Sequence, residues 1–174
     1  MTWNLDTAHS SVEFAVKHMV IASTKGRFTG YEADASIDET DLSRSTATVR
    51  INAASVDTRD EKRDGHLRSA DFFDAENNPT ITFTSKRLEA KGGNDYKVVG
   101  DLTIRGITRE VVLDGEVSGP VKDPWGGTRV GISATGKVNR KQFGLNWNAA
   151  LDAGGFLVGD DVKLNIDAEF VRAA

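Results

Sequence analysis

The sequence lacks cysteine altogether, and this absence excludes disulfide bonds, thiolate nucleophiles and metal sites built on thiolates. Its only histidines are His9, His18 and His66, and no two of them have a His-x-His or His-x₃-His spacing. A metal site needs three or four ligands that converge. We therefore expect no bound metal and no cofactor.

Long apolar runs and an excess of positive charge are also missing. No segment approaches the roughly 20 apolar residues that a membrane-spanning helix needs. The formal net charge of −4 argues against nucleic acid as a partner. The first residues show no basic region followed by an apolar core, as a signal peptide would. We expect a cytoplasmic protein, or a periplasmic or secreted one if an export leader precedes this sequence.

Alternation of apolar and polar residues dominates most of the chain. Examples are 11–20, 46–53, 96–104 and 162–170, while 23–26 resembles a turn. Eight or nine such segments joined by short turns are typical of an all-β sandwich or barrel. Several exceed the usual five or six residues, which favours a barrel with a deep interior. No linker or repeat divides the chain, so we predict a single domain, 1–174, folded as an extended antiparallel eight-stranded β-barrel.

One segment departs from this alternation. Residues 63–74 combine many charges with Leu67, Ala70 and Phe73, which are spaced three apart, as on one face of a helix. Pro79 lies beyond this segment, and the residue before a proline disfavours the α conformation. We predict a short helix, about 64–74, that caps one end of the barrel.

The inward-facing positions of the predicted strands include many very small residues. They are Ala33, Ala35, Ala47, Ala53, Gly100, Gly115, Ala134 and Gly136. A barrel of eight strands is just wide enough to be filled by side chains or to hold one small ligand. The small residues either leave an apolar cavity or make room for the helix and for bends. An apolar cavity would select a hydrophobic ligand, because a polar one would lose its hydration without gaining partners.

Two groups of residues are candidates for ligand contacts. Alternation assigns an apolar tunnel to Phe14, Val16, Phe28, Phe83, Leu102, Ile132, Phe143 and Trp147. The candidates for holding a phosphate or diphosphate head group at the barrel mouth are His18, Arg63, His66 and Arg68. Acidic residues are interleaved with the last three, so ion pairs on a solvated surface are the alternative interpretation.

No catalytic arrangement is evident. Ser10 and Ser11 lie beside His9, but the strained nucleophile elbow of the G-x-S-x-G type is absent. We predict that the protein is not an enzyme and has no catalytic residues. The alternative is an enzyme that acts on a hydrophobic substrate in the barrel, with His18 or His66 as general base.

Several motifs occur together in a way that is specific to one known family. They are Trp3-x-Leu5-Asp6-x-x-His9-Ser10, Arg63-Asp64-x-His66-Leu67, Gly100-Asp101-Leu102-Thr103-Ile104-x-Gly106 and Arg140-x-x-Phe143-Gly144. On these motifs the chain resembles the YceI-like family of lipocalin-like, polyisoprenoid-binding proteins. The resemblance implies an extended barrel around an elongated apolar tunnel. The implied ligand is a long isoprenoid chain, such as a polyprenyl phosphate or a quinone tail, held by a carrier, storage or sequestering protein. The resemblance also implies a homodimer, and it supplies no catalytic residues.

Overall fold

The computed structural model describes residues 2–152 and 154–173, and antiparallel strands form most of it. The strands are β1 (Trp3–Leu5), β2 (Ser11–His18), β3 (Ala22–Phe28), β4 (Tyr31–Ser36), β5 (Thr46–Asn52), β6 (Val56–Asp57), β7 (Thr80–Gly92), β8 (Asp95–Ile104), β9 (Ile107–Lys122), β10 (Thr128–Asn139) and β11 (Val158–Arg172). One α-helix, α1 (Glu61–Arg68), and 3₁₀ turns at Thr7–His9, Leu42–Arg44, Ala53–Ser55 and Arg140–Phe143 complete the described elements.

The eleven strand segments close into a ring of eight long strands. β1 and β2 both pair with β11 and together form one interrupted strand. β3 and β4 form the next interrupted strand, which pairs with β2 and β1, and β5 and β6 form a third, which pairs with β4 and β3. β7, β8, β9 and β10 complete the ring, and β10 returns to β11. Every pairing is antiparallel, so the predicted all-β eight-stranded barrel is confirmed.

The first long hairpin differs from its prediction. β2 ends at His18, and the turn is formed by 19–21, whereas 23–26 lies inside β3. The glycine that suggested a turn serves a packing role, because a Cβ on Gly26 would collide with the ring of Phe14 on the neighbouring strand. The prediction of a turn at 23–26 is therefore wrong.

The helix is shorter than predicted and begins earlier than residue 64. Asp60 caps its first turn by accepting a hydrogen bond from the backbone N–H of Arg63 at 3.1 Å. The Ser69 hydroxyl donates to the carbonyl of His66 at 2.6 Å, and the chain then turns through 69–78. Of the predicted stripe, Ala70 is exposed, and Phe72 is buried in its place. No helix among the described residues is long and apolar enough to cross a membrane.

The two ends of the barrel are covered differently. The upper end carries α1, the segment 69–78, the 19–21 turn and the loop segments 144–152 and 154–157. There the guanidinium of Arg105 holds the chain after α1 by donating to the carbonyls of Ala70 and Phe72 at 2.6 and 2.7 Å. The lower end carries the 37–45 connection, the turn between β9 and β10, and a core cluster around Trp3 and Phe170.

Candidate functional site

The barrel encloses an elongated apolar cavity of about 640 Å³. This volume is in the usual range for small-molecule sites. Its wall includes Lys17 and His66 at the upper end and Ile37 and Leu42 near the lower end. Along β11 the lining residues extend from Val158 to Phe170, which corresponds to roughly 40 Å of extended strand. The cavity therefore follows the barrel along most of its length.

All eight residues predicted for the apolar tunnel lie on the wall of this cavity. Aromatic rings contribute much of the wall: Phe14 and Phe28 pack with centroids 5.5 Å apart, and Phe73 meets Phe28 edge-on at 5.6 Å. Strand alternation placed the six of them that lie in strands, because successive side chains point to opposite faces, whereas Phe143 lies in a 3₁₀ turn and Trp147 in a loop. Their contact with a ligand stays a prediction.

The small interior residues have two different roles. A Cβ on Gly100 would lie 2.5 Å from Cζ of Phe83, and one on Gly136 would collide with Leu113, so neighbouring side chains already fill these positions. Ala35, Ala47 and Ala134 instead line the cavity directly. Ala33 and Ala53 are not on the cavity wall and pack in the core clusters instead. Three of the five alanines thus border the open space, while the glycines make room for neighbouring strand side chains rather than for the helix.

The upper end of the cavity is bounded by aromatic rings. Trp147 meets His66 edge-on at 4.6 Å and Phe72 at 5.5 Å between ring centroids, and His66 also packs edge-on against Phe72 at 5.0 Å. On its outer side His66 Nε2 is hydrogen-bonded to Asp71 Oδ2 at 2.8 Å. The imidazole therefore lies at the boundary between the apolar cavity and the polar surface.

Three of the four predicted head-group residues lie at this mouth. His18, Arg63 and His66 line the cavity, together with Lys17 and Lys62. Lys17 was not among the candidates, because strand alternation does not reveal which surface cations surround an opening. The mouth is therefore rich in cationic side chains.

The guanidinium of Arg63 also has a structural task. It donates from Nε and Nη2 to the hydroxyl and carbonyl of Thr58, both at 2.8 Å. The structure does not bring Arg68 to the cavity, since its Nη2 donates to Glu61 Oε1 at 3.2 Å on the helix surface. For Arg68 the alternative interpretation, an ion pair on a solvated surface, matches the geometry, because its partner Glu61 is almost fully exposed.

The buried Arg140 is a residue whose importance sequence reasoning missed. Its side chain is 4% exposed and donates to the carbonyls of Gly159 at 2.7 Å, Trp147 at 3.0 Å, Val158 at 3.3 Å and also Leu145. Burial lowers the pKa of Arg140 from its usual value, although a guanidinium remains charged at neutral pH. The guanidinium of Arg140 thus joins the loop after β10 to the start of β11 by hydrogen bonds and so positions Trp147.

A cluster at the lower end has the composition of a metal site. Asp6, His9 and Glu169 come close together, but Nη1 of Arg129 lies 2.8 Å from Asp6 Oδ2 and 2.7 Å from Glu169 Oε1. Hydrogen bonds from His9 and Arg129 lower the pKa of Asp6 to about 2. A guanidinium thus already provides the positive charge that a metal ion would bring, and the cluster is an ion-pair network that joins β1, β10 and β11.

Comparison with known proteins places these features in a family. Residues 3–170 match the YceI-like domain. A UPF0312 protein of Staphylococcus aureus strain USA300 is 43% identical over 169 residues, which are 97% of this chain and 96% of the relative.

Solved structures agree with this match. The crystal structure of the Campylobacter jejuni YceI protein is 34% identical, with a TM-score of 0.78 over 91% of this chain and 90% of the other. A polyisoprenoid binding domain from Saccharophagus degradans, 15% identical, shares the fold with a TM-score of 0.71 over 98% of both chains. The chain belongs to the YceI-like family, whose lipocalin-like barrel it shares.

Proposed function

We propose that the protein binds a long isoprenoid-type lipid inside its barrel, as a carrier, storage or sequestering protein. The ligand would be a polyprenyl phosphate or a molecule with a polyprenyl tail such as a quinone. The observation that carries the proposal is the elongated apolar cavity of about 640 Å³ with cationic side chains gathered at its upper mouth.

The wall chemistry favours a long hydrocarbon over a polar ligand. Each methylene removed from water contributes about 0.8 kcal/mol, so a prenyl tail gains affinity with every unit that enters. A polar ligand would be desolvated against side chains such as Val49, Leu113 and Ile166 without finding hydrogen-bond partners there. The cavity therefore suits a ligand whose polar part is confined to one end.

The mouth suits that polar end. A phosphate head would meet Lys17, Lys62 and Arg63, whose charges favour an anion. A quinone carbonyl would instead accept a hydrogen bond from the ammonium group of Lys17 or Lys62, because Nε2 of His66 is already bonded to Asp71. The solved Saccharophagus degradans domain with the same fold is described as polyisoprenoid binding, and this supports the same ligand class here.

Native mass spectrometry tests the proposal on protein purified without detergent. We expect a bound mass that disappears on denaturation and that organic extraction identifies as a prenyl lipid. Protein that carries no ligand, and that also fails to take up added polyprenyl phosphate or quinone, would contradict the proposal.

An enzyme with a histidine general base is the second candidate function. The hydrogen bond between His66 and Asp71 favours it, because a carboxylate partner orients an imidazole for proton transfer. Turnover of a hydrophobic substrate that vanishes in His66→Ala and persists in His18→Ala would support this candidate. Retained prenyl binding without turnover in the wild type would exclude it in favour of a binding protein.

A further inference from the structure

Several large apolar side chains are exposed beside the mouth of the cavity. Met19, Val20 and Ile21, in the turn between β2 and β3, are 44%, 64% and 83% exposed, and Phe156 is 58% exposed. We call these four residues the apolar tip.

Backbone contacts join the two parts of the apolar tip. The N–H of Met19 donates to the carbonyl of Leu157 at 2.8 Å, and His18 pairs with Val158. A Cβ on Gly155 would lie 3.2 Å from Cγ2 of Val20. Since His18 and Leu157 both line the cavity, the apolar tip borders its mouth.

The conformation of the turn is unfavourable for the residues that occupy it. Met19 and Val20 have φ angles of 54° and 67°, in the left-handed region that a β-branched residue rarely adopts. Tight hairpin turns usually place asparagine or glycine at such positions. These side chains are largely exposed, so the barrel gives them little packing, and an apolar partner outside the barrel would bury them.

The charges around the apolar tip indicate what kind of partner it fits. Lys17, Lys62 and Arg63 are exposed and surround the same mouth, in a chain whose net charge is −4. Asp60 and Asp71 also lie there, but the first carboxylate caps α1 and the second is bonded to His66. Exposed apolar side chains among cations fit an anionic lipid surface, where the former enter the acyl boundary and the latter meet head groups.

We propose that the apolar tip inserts into an anionic lipid bilayer and so opens the mouth of the cavity at the membrane surface. This inference rests on the proposed function for its purpose: a prenyl lipid would pass between bilayer and cavity without crossing water. Docking itself depends only on the apolar tip and the surrounding cations.

Flotation with lipid vesicles tests the docking. Wild type, Ile21→Ser and Phe156→Ser are compared on vesicles of phosphatidylcholine alone and of phosphatidylcholine mixed with phosphatidylglycerol. The matched control is Trp125→Ser, which removes an 81% exposed aromatic residue from the turn at the lower end. We expect the wild type to bind the anionic vesicles, each tip variant to lose about tenfold in partitioning, and the control to keep wild-type binding.

Three results would overturn the docking proposal. The first is a wild type that stays off anionic vesicles, and the second is a Trp125→Ser variant that loses as much binding as Ile21→Ser. The third is a dimer in sedimentation velocity that Ile21→Ser dissociates, because a second copy of the chain would then cover the apolar tip. A dimer that survives in Ile21→Ser, together with vesicle binding that depends on the tip, supports docking.

A parallel measurement separates this inference from the proposed function. Uptake of polyprenyl phosphate added from solvent, without vesicles, should be the same in Ile21→Ser and in wild type, because Ile21 is not on the cavity wall. A wild type that docks on vesicles but takes up no prenyl lipid would contradict the proposed function and leave the docking supported.

Discussion

The imidazole of His66 and the indole of Trp147 meet edge-on with their centroids 4.6 Å apart. This contact joins α1 to the loop that follows β10, and Phe72 packs against both rings. The three rings line the upper end of the cavity beside the cationic side chains of the mouth. In the proposed function they form the barrier that a lipid passes on entering or leaving.

Removal of this barrier should speed ligand exchange. In Trp147→Ala we expect a prenyl lipid to leave the barrel about tenfold faster, because part of the apolar enclosure at the upper end is lost. The measurement is transfer of bound lipid to acceptor vesicles, with Trp125→Ala as the control. A release rate equal to that of the wild type would show that Trp147 is not part of the barrier.

The buried guanidinium of Arg140 should be a major source of stability. Arg140→Met retains much of the apolar volume but leaves the carbonyls of Leu145, Trp147, Val158 and Gly159 without their shared donor. We expect the free energy of unfolding to fall by about 2–4 kcal/mol. Lys141→Met, at the exposed neighbouring position, should change it by less than about 0.5 kcal/mol in the same denaturant titration. Equal effects of the two substitutions would contradict the assigned role.

Substitutions of two glycines of β10 test the shape of the cavity, one as the test and the other as its control. A Cβ on Gly136 would collide with Leu113 and push that side chain towards the cavity, whereas the nearest atom to a Cβ on Gly131 would be 4.0 Å away. Gly136→Ala should lower both prenyl affinity and stability, the latter by about 1–3 kcal/mol, as overpacking does. Gly131→Ala should leave prenyl affinity unchanged. Titration with a prenyl lipid and thermal unfolding measure the two effects, and an affinity unchanged in Gly136→Ala would contradict the cavity geometry.

The ion-pair network at the lower end should make stability depend on pH. The Asp6 pKa is lowered from 3.8 to about 2. The ionised carboxylate therefore contributes fully to the free energy of unfolding above pH 3.8, and this contribution is lost as the pH falls towards 2. The hydrogen bond to Asp6 raises the His9 pKa above 6.5. The protonated imidazole therefore contributes fully to the free energy of unfolding below pH 6.5, and this contribution is lost as the pH rises through the raised value. The network therefore stabilises the fold most between about pH 3.8 and pH 6.5.

Asp6→Asn tests this dependence directly. The difference in free energy of unfolding between wild type and variant should be largest between about pH 4 and 6.5 and should shrink on both sides. Asp152→Asn, in an exposed loop, is the control for the loss of one surface carboxylate. A difference that stays constant from pH 2 to 8 would contradict the linkage.

Strand alternation predicted much of the barrel because period-2 patterns assign each residue to one face. It placed Phe14, Leu102 and Ile132 on the cavity wall correctly. It could not predict where the first hairpin turns, since alternation continues through Val20 although β2 ends at His18.

Features that depend on distant contacts were beyond a sequence pattern. Arg140 entered the sequence analysis only as part of a family motif, and its role could not be predicted because its acceptors are backbone carbonyls 5 to 19 positions away. The helix was predicted too late in the chain because its start depends on capping by Asp60 and not on the apolar stripe. In both cases hydrogen bonds to the backbone, and not apolar periodicity, decide the local structure.

Prenyl-lipid uptake by two neighbouring variants tests the central claim most directly. Ala134 is 4% exposed and lines the cavity, whereas Thr135 is exposed on the outer face of the same strand. If a prenyl lipid occupies the cavity, Ala134→Phe should fold but lose at least about tenfold in affinity for polyprenyl phosphate, and Thr135→Phe should bind as the wild type does. Equal affinity of Ala134→Phe and wild type, or no uptake by the wild type, would contradict the account.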